Sequence, residues 1–113
     1  MLNRLFILLI GIAFVGCNND QLVEDIALEF RWNHPQSIRI SEEDIGKKVI
    51  QKCIDDAEIS HPISFQGAHS FTYQNSNYYV ITFGGAGQVR DFGMLCILDS
   101  DKDILGYHIK TLV

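Results

Sequence analysis

The sequence predicts an α+β domain: two N-terminal helices packed on one face of a four-stranded antiparallel meander, over residues 17–113. Three observations predict it. Apolar residues recur at helical spacing in two segments before residue 58. From Ile63 onward the period changes to two. The strand-like segments are joined by connections too short for parallel crossovers.

The first helix is read from Leu22, Val23, Ile26, Ala27 and Phe30, with Glu24, Asp25 and Glu29 between them. It spans about Asp20–Trp32 and stops at Asn33-His34-Pro35, since the residue before proline avoids helical geometry. The second starts at Ser41-Glu42-Glu43-Asp44, where Ser41 can cap and Asp44 can reach back. Ile45, Val49, Ile50, Cys53, Ile54 and Ala57 then form one apolar stripe, giving a helix over Glu42–Ala57. Its last turn carries Asp55, Asp56 and Glu58, the wrong sign for the helix dipole and read as a solvated acidic face.

Phe65, His69, Phe71 and Tyr73 alternate with polar or small residues, with a bulge expected at Gly67. Gln74-Asn75-Ser76-Asn77 turns the chain. Tyr78–Phe83 is the strongest strand, β-branched and aromatic throughout. Gly84-Gly85-Ala86-Gly87 breaks it, Phe92–Leu98 is nearly continuous apolar strand, and Asp99–Asp103 turns into a last strand over Ile104–Leu112. Tyr79, Ile81 and Phe83 should meet the helices. Tyr78 then lies on the outer face, a candidate protein-binding residue, since exposed tyrosine combines area with a hydrogen-bonding tip.

Ahead of these elements stands "FILLIGIAFVGCNND", Phe6–Asp20. The apolar run Leu5–Val15 follows a single charge, Arg4, and is shorter than the ~20 residues a spanning helix needs. It has the marks of a secretory signal over residues 1–16. Phe14-Val15-Gly16-Cys17 resembles the lipobox of bacterial lipoproteins, although Phe14 stands where leucine is usual. The resemblance implies a lipid on Cys17, cleavage before it, and palmitate-type anchoring in the cell envelope. Asn18 in place of aspartate favours the outer membrane where the host has one. Two or three acyl chains hold a small domain durably, at about 0.8 kcal/mol per buried methylene.

Removing residues 1–16 of the 113 leaves 97, enough for one small domain. Arg4 is the one charge lost, so 8 Lys/Arg face 14 Asp/Glu, net −6. That balance argues against a nucleic-acid partner. Cys53 and Cys96 form an even pair in an oxidising compartment. They are expected to share one buried layer, either as a disulfide or as two separate thiols behaving as small hydrophobes.

"NYYVITFGG", an apolar strand and the "DSDKDILGYHI" hairpin, Asn77–Ile109, are similar to small cystatin-like domains. Among these the chain resembles PepSY-type domains and immunity proteins with a nuclear-transport-factor-2-like fold. Such relatives mostly bind or inhibit other proteins, so the resemblance implies a protein partner and no shared catalytic set.

The chemistry-bearing patterns are sparse. The glycine run lacks the Lys-Ser/Thr of a phosphate loop and is followed by a strand. Asp99, Asp101 and Asp103 have the 1, 3, 5 spacing of a calcium loop, but Ile104 and Lys110 occupy positions that need Gly and Glu. A charged hairpin turn is the expectation. His34, His61, His69 and His108 show no metal-ligand spacing, and no nucleophile elbow is present. The reading is therefore a lipid-anchored envelope protein that binds or inhibits another protein, with no metal, no cofactor and no enzymatic activity. The alternative is a structural envelope lipoprotein acting through its first helix and the membrane.

Overall fold

A computed structural model of the chain describes residues 19–32, 37–60, 62–85 and 92–111. The signal segment, Cys17, His34, His61, Ala86 and Gly87 lie outside them. Helix α1 covers residues 19–32. After it come β1 (Ile38–Ile40), α2 (Glu42–Ile45), α3 (Lys47–Asp56), β2 (Ile63–Tyr73), β3 (Ser76–Gly85), β4 (Phe92–Leu98) and β5 (Ile104–Thr111). The strands form one antiparallel sheet in the order β1-β2-β3-β4-β5.

The expected architecture of two helices on one face of four strands is corrected on three points. First, the sheet has five strands. Ile38-Arg39-Ile40 pairs with Ala68–Ser70 as a short edge strand; its single alternation is too brief to stand out from a loop in the sequence. Second, the helix read over Glu42–Ala57 is broken. Gly46 sits at φ 97°, a backbone open to glycine at little cost, and splits it into α2 and α3. The Ser41 cap is as read: Asp44 N–H donates to Ser41 Oγ at 3.1 Å.

Third, the helices cover opposite faces. Val23, Ile26, Ala27 and Phe30 of α1 pack on Phe71, Val80 and Ile97. Ile45, Ile50 and Cys53 of α2 and α3 pack on Ala68, Ile81, Phe83, Met94, Cys96 and Leu98. Alternation along a strand sends neighbours to opposite faces, so a strand apolar at every position needs both faces covered. β4 is such a strand: Met94, Cys96 and Leu98 meet α2 and α3, while Ile97 lies under α1.

Local chemistry sets the registers. β2 carries its irregularity between Phe65 and Gly67. Gln74 and Asn75 have φ of 48° and 67°, the left-handed pair of a two-residue hairpin, so β3 already begins at Ser76. At the last hairpin Asp99 accepts from the N–H of Asp101 (2.9 Å) and Asp103 (3.0 Å). A second irregularity between Ile97 and Leu98 leaves Leu105 as the extra residue of β5 and places Gly106 opposite Ile97. There a Cβ would stand 2.9 Å from Val23 Cγ2, so the missing side chain lets α1 approach the sheet.

Candidate functional site

The buried residues of α1 end at Phe30, while β3 and β4 run on past it. Val80 pairs with Ile97 beneath the helix; two residues further Thr82 pairs with Leu95, and then Gly84 with Gly93. Past the helix end the sheet holds a cleft of about 180 Å³, lined by Arg31, Gln66, Thr82, Gly93, Leu95 and His108 among others. Gly93 lines it with backbone alone. A Cβ on Gly84 would overlap the Gln66 amide, which occupies that space instead.

Two α1 residues two turns apart, Glu24 and Arg31, reach the same histidine on β5. His108 Nδ1 lies 3.1 Å from Glu24 Oε2, and its Nε2 lies 3.4 Å from Arg31 Nη1. A guanidinium only donates. Nε2 therefore accepts, and Nδ1 carries the proton it donates to Glu24. The histidine side chain is 15% exposed and the glutamate 50%. A carboxylate–imidazole pair is part of a nucleophilic relay, but here Nε2 meets Arg31, and the Thr82 hydroxyl donates to Gly67 O at 3.2 Å. The arrangement presents hydrogen-bond donors rather than a nucleophile.

Trp32, the next residue on α1, is 82% exposed, and Leu28 one turn before it is also exposed. Tryptophan and arginine are the residue types most often responsible for binding energy at protein interfaces. The end of α1 thus combines an exposed tryptophan, an exposed guanidinium and a side-chain-sized cleft.

The residues singled out from the sequence fall elsewhere. Tyr78 does not sit on an open sheet face. It is half-buried and packs against the cluster under α1, because that helix occupies the face expected to be free. Cys53 and Cys96 are fully buried and joined as a disulfide, with Cα atoms 6.2 Å apart. Beside them Tyr107 donates to Cys53 O at 2.9 Å. Burial, with a smaller contribution from the Asp56 carboxylate, pushes the Tyr107 hydroxyl up to about 12. Asp99, Asp101 and Asp103 come close enough to share a cation, but Asp99 already spends one oxygen on two backbone N–H groups, the work of a turn. His69 and His108 face the same side of the sheet yet serve apart: His69 packs edge-on to Phe30, 5.2 Å between centroids, with Ser37 Oγ 3.5 Å from its Nδ1.

Sequence reading missed Glu24, Arg31 and His108 as a group. The spacing of 24 and 31 marks one helix face, but nothing local ties that face to a residue 77 positions away. Trp32, the single tryptophan, is the one local signal for this end of α1. No family model, curated protein or solved structure matches the chain. Among the described residues, no helix is long and apolar enough to cross a membrane.

Proposed function

We propose that this is a lipid-anchored cell-envelope protein whose small domain binds another protein through the end of α1. The observation that carries the reading is Trp32, 82% exposed beside the exposed Arg31. Exposing an indole in water is unfavourable unless a partner covers it. The lipobox resemblance supplies the anchor at Cys17, two positions before the first described residue of α1. From residue 19 to Trp32 the helix spans about 20 Å at 1.5 Å per residue, so the partner is one that comes close to the membrane.

Two experiments test this. Cys17→Ser should abolish incorporation of a clickable palmitate analogue and release the protein from envelope membranes of the native host. Unchanged labelling and attachment would end the anchor reading. For the partner, a photo-crosslinking amino acid at position 32 should give one discrete adduct in intact cells. The same group at exposed Lys52, on α3, should not. Indistinguishable patterns at the two positions would remove the end of α1 as the binding surface.

A further inference from the structure

We infer that the cleft beside Arg31 receives a carboxylate, and that His108 takes up a proton when it is filled. The inference rests on the protein-binding reading only for the source of that carboxylate, an acidic side chain of the partner.

Charge is the first argument. The chain carries 14 Asp/Glu against 9 Lys/Arg, yet among the described residues the cleft lining includes Arg31 and His108 and no acid. Donor inventory is the second. Arg31 has five N–H groups. Its one polar partner among the described residues is His108 Nε2, at 3.4 Å, long for a hydrogen bond. The remaining donors are solvated and free to form the parallel pair that a planar carboxylate accepts.

Size and field select the ligand class. Sites for drug-sized molecules run from about 300 Å³ upward; about 180 Å³ suits a single side-chain head. The cleft lies at the C-terminal end of α1, where the helix dipole is negative and disfavours a phosphate dianion more than a single carboxylate charge.

His108 supplies the proton linkage. From α1 it is faced by Glu24 and Arg31, and across the register on β4 by Leu95, which does not titrate. In the empty cleft Nε2 is unprotonated and accepts from Arg31. A carboxylate taking that guanidinium removes the donor from Nε2 and puts a negative oxygen beside it. One proton from solvent then binds Nε2, which donates to the new oxygen, while Nδ1–H stays on Glu24. Binding is therefore tighter below the histidine range than above it.

The test uses the full chain in detergent micelles, with ¹⁵N side-chain signals of Arg31 and His108 observed. Sodium acetate is the probe, with sodium chloride at equal ionic strength as control. Acetate should give saturable shifts at both residues in the millimolar range, about tenfold weaker at about pH 8 than at about pH 6. Arg31→Gln, at an exposed position, should keep the backbone spectrum and lose the shifts. His108→Gln should keep binding and lose its pH dependence. No saturable shift, shifts that persist in Arg31→Gln, or equal affinity at both pH values would overturn the inference. A capped tripeptide with central Glu should bind at least tenfold more tightly than acetate and its Gln counterpart not at all. Equal binding of peptide and acetate would overturn the protein source. Because no partner is present, these outcomes are separate from the crosslinking result at position 32.

Discussion

The two faces of the sheet are held in different ways. On the α3 face, α2 and α3 bury only Ile45, Ile50 and Cys53 fully or nearly so. Helices of four and ten residues are far below the length at which a helix stands alone in water. Directed ties make up the difference. The disulfide joins α3 to β4, Tyr107 of β5 holds the Cys53 carbonyl, and Lys102 of the last turn donates to Asp44 O at 2.9 Å. On the other face α1 is longer, buries Val23, Ile26, Ala27 and Phe30, and is held by apolar contact and the Glu24–His108–Arg31 group. The covalent face is closed. The non-covalent face ends early and leaves the tryptophan and the cleft. The covalent ties and the proposed binding end of α1 thus sit on opposite sides of one sheet, and changes on either side should be separable.

The largest effect expected is on the tied face. Replacing both Cys53 and Cys96 by alanine opens a link spanning 43 positions, which the chain-entropy account values at about 4 kcal/mol. Chemical denaturation of the variant under non-reducing conditions measures it. A loss below about 1 kcal/mol would mean that packing alone holds α3, and the contrast between the faces would collapse.

On the α1 face the sharpest probe is Gly106→Ala. The added methyl meets Val23 Cγ2 at 2.9 Å, and overpacking of this kind costs about 2 kcal/mol. Combining it with Val23→Ala should recover about 1 kcal/mol of coupling, since the two changes share one contact. Strict additivity in the double-mutant cycle would show that α1 does not rest on Gly106.

The smallest effect separates a tie from its charge state. Tyr107→Phe removes one hydrogen bond, about 1 kcal/mol. The hydroxyl's folded value, about 12, lies above the 10.0 of the free side chain, so folding favours the protonated form. Its contribution is fully present below pH 10 and is lost as pH rises towards 12. Of the four tyrosines, one should ionise late in an ultraviolet titration, and Tyr107→Phe should delete that step. A late step that survives the substitution would reassign it.

Legibility follows the range of the forces. The Ser41 cap, the bulge by Gly67, the turn after Tyr73 and the Asp99 turn all depend on residues within a few positions of one another, and all were readable. The break at Gly46 is equally local, but the apolar stripe runs straight across it and masks it: Ile45 and Ile50 belong to one core on either side of the glycine. β1 is not legible because three residues carry too little pattern of their own; the pairing with Ala68–Ser70 makes it a strand.

By itself the sequence determined the antiparallel order from β2 to β5, the helical character of α1 and α3 and the shared burial of Cys53 and Cys96, because each follows from residue periodicity and short connections. Only the tertiary structure decided which face each helix covers. Both helices are amphipathic and both sides of β3 and β4 are apolar, so either face satisfies the local pattern. The choice rests on long-range contacts: the disulfide draws α3 to the Cys96 side, and the bare backbone of Gly106 admits α1 to the other. That choice half-buries Tyr78 and brings Glu24, Arg31 and His108 together across 84 positions, a juxtaposition that no local periodicity encodes.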